Sequence, residues 1–331
     1  MPNNNNIKMN NYAISVWGLG NHALKRVIPS ILAINEFILV GVCSRSKKIV
    51  EACAKKHNCE GWTDSLNMLD NDKIEIIYIS TPIGVHYNLA TLALDSGKHV
   101  WCEKPLTCNF NDTKKLINLA KKNKKMLSEA FMFLYHPQFK KIQNLIKDKE
   151  IGKINSVICR FGIPALDEPG FRENSDLCGG AFWDVGSYTV AAVIELFNDQ
   201  NVKVIFAEII KHKDLPVDTK GRAILQFAQG TIAYLEWGVG VAYKNEIDLW
   251  AENGSFYTDK IFSKPKNYLP VYKLRNQYGE ETFVKGQKVE QFDEMLKAFS
   301  NISNSPAMIE EEYKSIYKRA KVMDEIVKLS Q

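Results

Sequence analysis

Four short segments of this sequence carry residue types at spacings that chemistry can use. Gly18-Leu19-Gly20-Asn21-His22-Ala23 reads G-x-G-x-x-A. Between a strand and a helix, the first glycine of such a run permits a tight turn and the second lets a pyrophosphate approach the backbone. The small Ala23 lets helix and strand pack closely, and the helix N-terminus favours an anion. Cys43-Ser44-Arg45-Ser46, followed by Lys47 and Lys48, has no acid where NAD-binding folds place one for the ribose 2′-hydroxyl. Two hydroxyls and a guanidinium suit a 2′-phosphate, so NADP(H) is the expected cofactor, with NAD(H) second. The alternative for these residues is a basic, solvent-exposed turn.

Gly97-Lys98-His99-Val100-Trp101-Cys102-Glu103-Lys104-Pro105 puts an acid–lysine pair just past the carboxyl end of a strand. Sheets of α/β proteins bind ligands there. In the segment Cys178 to Tyr188, glycines lead into a helix on which Asp184 and Tyr188, four apart, share a face. A tyrosine hydroxyl can donate a proton to a carbonyl oxygen as hydride arrives at the carbon. A nearby ammonium lowers its pKa toward working pH. Lys104, Asp184 and Tyr188 are therefore the catalytic candidates. Plainer readings stand beside these: Lys104 in a structural pair with Glu103, and Tyr188 as a core ring with a local partner. His86 and His99 read as structural histidines, and Phe131, Met132 and Phe133 as core. His136 stays open, because the step before Pro137 is a bend near the cleft. Arg172, in the loop before the glycines, suits an anionic substrate group such as a nucleotide phosphate.

The elements that must hold these groups alternate in the first third of the chain. Strands are expected at Tyr12–Trp17, Phe37–Cys43, Ile74–Ser80 and His99–Cys102. Helices are expected at Leu24–Ile34, Lys47–Lys56, His86–Asp95 and from Asn111 to about Asn123. Pro29 should bend or shorten the first helix. Such alternation implies right-handed βαβ units in a parallel sheet. Beyond Lys153 the pattern changes to one helix near Gly180 and strands at Val202–Ile210, Arg222–Phe227, Thr231–Trp237, Glu246–Ala251 and Tyr268–Arg275. Short Gly-, Asn- and Asp-bearing turns between them mean an antiparallel or mixed sheet. A helix at Glu310–Leu329 closes the chain.

With 331 residues the chain is too long for one typical core. The expected division is a loose Asn-rich tail at 1–10, a dinucleotide-binding unit at 11–130, an α+β unit at 131–309 and a closing helix at 310–331. No apolar run approaches the roughly 20 residues that span a bilayer, and no signal-peptide core opens the sequence, so a cytoplasmic protein off the membrane is expected. The seven cysteines, scattered and without C-x-x-C, suggest neither a disulfide framework nor zinc, and the six histidines lack ligand spacing. No metal is expected. The net charge of +5 is mild. The lysines at 114, 115, 121, 122, 124 and 125 read as a solvated helix face, with no nucleic-acid motif beside them.

Together these motifs resemble the glucose–fructose oxidoreductase, inositol dehydrogenase and rhizopine-catabolism family, written Gfo/Idh/MocA. The resemblance rests on Gly18–Ala23, Ser80-Thr81-Pro82, His86, Gly97–Pro105, Glu129-Ala130-Phe131-Met132 with His136-Pro137-Gln138, and Gly179–Tyr188. It implies a Rossmann domain followed by an α+β domain with a large, mainly antiparallel open sheet, through which members form homo-oligomers. It implies cofactor contacts from Gly18, Gly20, Asn21, His22, Ser44, Arg45, Ser46, Thr81, Pro82, His86, Glu103 and Lys104. Substrate contacts would come from Lys104, His136, Arg172, Asp184 and Tyr188. Tyr188 places the chain near the branch of glucose–fructose oxidoreductase, xylose dehydrogenase, dimeric dihydrodiol dehydrogenase and sugar 3-ketoreductases. Cys178 departs from a frequent glycine, and Ile83 from a frequent asparagine. The implied activity is hydride transfer between NADP(H) and a keto-sugar, free or nucleotide-linked, or an aldose. A trans-dihydrodiol substrate, a cofactor that never leaves, and a non-catalytic dinucleotide-binding regulator are the alternatives.

Overall fold

Strands that are apolar along their whole length need cover on both faces, which a parallel sheet with flanking helices supplies. The computed structural model describes residues 12–211 and 213–331, so the expected tail at 1–10 lies outside the described residues. The first half runs β1 (Tyr12–Trp17), α1 (Ile28–Ala33), β2 (Phe37–Cys43), α2 (Lys47–His57), β3 (Glu60–Trp62), α3 (Ser65–Leu69), β4 (Ile76–Ile79), α4 (His86–Asp95), β5 (His99–Cys102), α5 (Phe110–Asn123) and β6 (Leu127–Glu129). The strands lie in the order β3-β2-β1-β4-β5-β6 and every pair is parallel. The order reverses between β1 and β4, so a ligand crevice opens at the carboxyl ends of these two strands. The bend expected at Pro29 is a π-helical turn, Ala23–Val27, just ahead of α1. Proline crowds the carbonyl four residues back and has no N–H to give it; a wider turn absorbs both effects.

The second half begins with α6 (Pro137–Lys147) and β7 (Ile154–Ile163), then α7 (Ser187–Leu196). The strands β8 (Val202–Lys211), β9 (Asp218–Phe227), β10 (Ile232–Val239), β11 (Lys244–Ala251), β12 (Gly254–Asp259), β13 (Val271–Asn276) and β14 (Glu281–Lys285) follow. The chain ends in α8 (Gln291–Ser303) and α9 (Pro306–Leu329). The sheet order is β14-β13-β12-β11-β7-β10-β9-β8, antiparallel except for the β7–β10 pair. β7 has core-facing Val157, Cys159 and Phe161, an alternation that Ile158 on the other face obscures in the sequence. One face of the sheet packs on helices. The other is open and shows Tyr234 and Trp250, which is 65% exposed.

One stretch, Ser175–Leu196, is by length and composition apolar enough to span a membrane, contrary to the expectation from apolar runs. It is the core helix of this fold: 78% of its most apolar window is buried between sheet and neighbouring helices. Its apolarity comes from having cover all round.

α9 starts four residues before its expected beginning, with Ser305 as cap and Pro306 in the first turn. It carries Arg319, 1% exposed, whose guanidinium meets Glu129 of β6 at 2.9 Å, Glu195 of α7 at 2.5 Å and Glu312 at 3.9 Å. One cation thus ties the parallel sheet to the helix behind the second sheet. Removing it leaves buried carboxylates unpaired, and Arg319→Ala should lose about 3–5 kcal/mol of stability. Equilibrium denaturation of variant and wild type measures this; an unshifted midpoint would contradict it.

Candidate active site

The G-x-G-x-x-A loop leaves β1 through Gly18, whose φ is +105°. A Cβ there would lie 2.3 Å from the Ser80 carbonyl oxygen, so only glycine lets the loop pass the end of β4. At Gly20 a Cβ would meet nothing within 4 Å. The second glycine therefore faces open space at the start of the helix, where an anion can approach the backbone N–H groups. Thr81, at the end of β4, has a buried hydroxyl without a partner, and Pro82 follows it. Ser44, Arg45 and Ser46 end β2 beside the same crevice, Arg45 exposed and the serines part-exposed. These residues fit a dinucleotide. A separate cavity of about 450 Å³, lined by Tyr12, Glu75, Lys98 and His99, lies at the amino ends of the strands, away from these groups.

Past β5 the chain delivers Glu103 and Lys104 into the crevice. The Glu103 Oε1 accepts from the Tyr78 hydroxyl at 2.5 Å and pairs with His22 Nε2 at 2.7 Å, joining the phosphate loop to the lysine loop. Burial alone would raise the Glu103 carboxyl; His22, Tyr78 and Lys104 outweigh it and hold it down at about 2. His22 moves upward, burial being outweighed by Glu103.

Lys104 Nζ donates to the Asp184 carbonyl at 2.5 Å, stands 3.4 Å from Asp184 Oδ1, and lies 4.3 Å from the centre of the Tyr188 ring. Burial lowers its pKa, with Asp184 and Glu103 working against this. Asp184 is held low, because Lys104 and Arg172 overcome the effect of burial. Asp184 lies on a π-helical turn, Phe182–Gly186, that runs into α7 and Tyr188. Such turns recur at functional sites.

Tyr188 sits in a box of aromatic rings: Phe131 at 5.5 Å, Phe133 at 5.8 Å, Phe161 at 5.3 Å and Phe262 at 5.8 Å between centres. Its hydroxyl is 3.7 Å from Met132 Sδ. The expected depression of its pKa by the ammonium is corrected here. Burial, then Glu103 and Asp184, push the phenol well above 10, and Lys104 lies over the ring instead of at the oxygen. Tyr188 is thus held protonated.

The loop before the helix is fitted to its neighbours at the backbone. A Cβ on Gly179 would fall 2.5 Å from the Arg172 carbonyl oxygen, and one on Gly84 2.7 Å from that of Asp176. The approach brings Arg172 to Asp184, with Nε donating to Oδ2 at 2.6 Å. Cys178 takes φ +55°, the left-handed conformation in which glycine is more usual. It is bonded to Cys108, 70 residues away, which corrects the expectation of no disulfide. The pairing was illegible because only the fold brings the loop after β5 against the loop before α7. With this bond, cysteine usage no longer argues for a reducing compartment.

Two histidines of the expected site have backbone partners. His86 is fully buried, with Nδ1 3.1 Å from the Pro105 carbonyl and Nε2 2.9 Å from that of Thr81. It holds two cofactor-side loops together. His136, 1% exposed, caps α6 through Nδ1 by accepting from the Gln138 amide at 3.0 Å, while its buried Nε2 has no partner among the described residues. His99 is structural, accepting from the Met126 amide. Phe131, Met132 and Phe133 are core.

A dinucleotide cradle at the carboxyl edge of a parallel sheet, with a lysine, an acid and a protonated tyrosine converging beyond it, defines an oxidoreductase. The description "oxidoreductase family, NAD-binding Rossmann fold" (GFO/IDH/MocA) matches residues 12–131, and the GFO/IDH/MocA C-terminal domain matches 139–257. The chain belongs to this family. It is 30% identical to the dTDP-3,4-didehydro-2,6-dideoxy-α-D-glucose 3-reductase of Saccharopolyspora spinosa, over 80% of this chain and 79% of that one. Over 67% of both chains it is 30% identical to D-xylose 1-dehydrogenase (NADP(+)) 2 of Haloferax volcanii. A 3-ketoreductase of Actinomadura kijaniata, solved with NADP and TDP-benzene, superposes with a TM-score of 0.91 at 26% identity, covering 96% of this chain and 98% of that one.

The Glu103 pair has a pH signature. Its carboxyl sits at about 2 folded against 4.5 ordinarily, so its ionisation stabilises the fold above pH 4.5, and that contribution fades as pH falls toward 2. Glu103→Gln should cost up to about 3 kcal/mol at pH 7, a gap that narrows between pH 5 and 3.5 in urea denaturation. A gap independent of pH would contradict the assignment.

Proposed function

We propose that this chain reduces the keto group of a nucleotide-linked sugar with NADPH. The observation that carries the reading is Tyr188 held as a phenol beside Lys104 and Asp184. A protonated tyrosine is an acid, and ketone reduction requires an acid at the oxygen. Run in reverse, as an aldose oxidation, the same group would take the proton back, so the direction rests on the relatives. The relatives named as 3-reductases and the neighbour that binds TDP-benzene support a nucleotide-linked keto-sugar.

Gly18, Gly20, Asn21 and His22 would take the pyrophosphate. Ser44, Arg45 and Ser46 would take the 2′-phosphate, and Thr81 and Pro82 would border the nicotinamide. When bound, NADPH supplies the hydride. Tyr188 donates its proton to the carbonyl oxygen in place of its weak contact with Met132 Sδ. As negative charge grows on the phenol oxygen, the Lys104 ammonium over the ring stabilises it in a site with little water. Asp184, ionised by Lys104 and Arg172, accepts from a neighbouring sugar hydroxyl and fixes the ring. Arg172, about a third exposed, offers its remaining N–H groups to the diphosphate. The aromatic box keeps water from the proton path.

We further read 11–130 as the cofactor unit, the chain as cytoplasmic, and the open sheet face as the contact between copies. Ile158, Tyr234 and Trp250 form an apolar patch on that face, of the kind that marks association sites. Tyr234→Glu with Trp250→Glu should convert an oligomer to a monomer in sedimentation; a monomeric wild type would contradict it.

Tyr188→Phe should lower kcat for a keto-sugar by about 10²-fold or more with NADPH binding unchanged. Arg45→Ala should raise KM for NADPH roughly tenfold or more, the loss of a charge-assisted bond, and leave that for NADH alone. Steady-state kinetics with both cofactors checks both, and full activity of Tyr188→Phe would sink the mechanism.

A further inference from the structure

The helix that carries Asp184 and Tyr188 begins without a cap of its own. Its first residues follow Gly179 and Gly180, which have no side chain, and Ala181 makes no capping bond. Helix amides at an N-terminus need acceptors, and buried ones left bare are costly. The acceptor comes from across the domain. Asp218, the first residue of β9, accepts from the Phe182 amide through Oδ2 at 2.8 Å. Its other oxygen, Oδ1, occupies the space beside Gly180, where a Cβ would lie 2.2 Å from it. Gly180 also has φ +114°. The second glycine of the pair is therefore a doorway for the Asp218 carboxylate, as the first is for the Arg172 loop.

Helix and sheet come this close because Gly186 and Gly221 both give way to one ring. A Cβ on Gly186 would meet the Trp237 indole at 2.9 Å, and one on Gly221 would meet it at 2.5 Å. Beyond the cap, the Gly180 amide donates to the Arg172 carbonyl at 2.8 Å, and the Asp184 amide to the Gly180 carbonyl at 3.2 Å. Gly180 thus lies between Asp218 and both members of the Arg172–Asp184 pair.

We propose that Asp218 is a positioning residue for catalysis: as the borrowed cap of the catalytic helix, it fixes the π-turn that aims Asp184 and Tyr188 at Lys104 and seats the Arg172 loop. It touches no substrate. The proposal rests on the roles given above to Asp184 and Tyr188, although the cap itself does not. Burial pushes the Asp218 carboxyl up to about 6, against the pull of the Phe182 and Ala181 amides. That is the cost of an acid held inside for the sake of those amides.

The test compares wild type, Asp218→Ala and Asp218→Asn as full-length protein. Asparagine keeps an acceptor at the cap; alanine does not. Amide hydrogen exchange should show faster exchange in Asp218→Ala confined to the Phe171–Asp184 stretch, with near-wild-type protection in Asp218→Asn. With NADPH and dTDP-3,4-didehydro-2,6-dideoxy-α-D-glucose as probe substrate, kcat of Asp218→Ala should fall roughly tenfold, the scale of a lost helix cap. KM for NADPH should stay unchanged, and Asp218→Asn should recover most of the rate. Unchanged exchange at 180–184 in the alanine variant, or an asparagine variant as impaired as alanine, would overturn the proposal. So would loss spread evenly over the protein. Wild type inert toward the probe would count against the proposed function, and exchange alone would then decide the cap.

Discussion

Everything in this structure converges on one buried ammonium. Lys104 belongs to the parallel sheet, and its partners, the carbonyl and carboxylate of Asp184 and the ring of Tyr188, belong to the helix of the other half. A charge withdrawn from water is tolerated only with close partners. The two halves must therefore meet in a geometry that brings a strand end against a helix start to within hydrogen-bond distance. The Arg319 cluster performs the same joining on the far side, where three carboxylates surround one guanidinium.

That geometry depends on small residues at particular places. Gly18 passes under Ser80, Gly84 under Asp176, Gly179 under Arg172 and Gly180 beside Asp218. Each contact is closer than any side chain on the glycine permits: the first three are with backbone, and the fourth is with the Asp218 carboxylate. The tyrosine shows the complementary device. Four rings from three segments close around it, and this burial raises the pKa of the phenol while the Lys104 cation stands over its ring. The acid and its stabiliser are in place before any proton moves, which is what preorganisation requires.

Much of this was legible in the chain. β1, β2, α4 and α5 fall within a residue of expectation because each keeps its apolar residues at the spacing of its element, and α5 has Asn109 as a cap ahead of it. The phosphate loop and the Lys104, Asp184 and Tyr188 set were visible as local patterns. What escaped is nonlocal or very short. β3 and β6 have three residues each, too few for any period. The Cys108–Cys178 bond and the Asp218 cap join segments that only the finished fold places together. The backbone bonds of His86 and His136 could not be read from their positions beside the motifs, because their partners are set by the fold. The direction of the Tyr188 shift was missed for a physical reason: the sequence gives the nearby cation but not the surrounding rings.

The most direct test of hydride transfer is to supply NADPH carrying deuterium at both nicotinamide C4 positions with a dTDP-linked keto-sugar, and to analyse the sugar by mass spectrometry and NMR. Deuterium on the carbon that gains the new hydroxyl is the predicted result, with the label lost from the cofactor in equal measure. A reduced sugar without deuterium, or cofactor that binds and keeps its label in the presence of every keto-sugar offered, would contradict it.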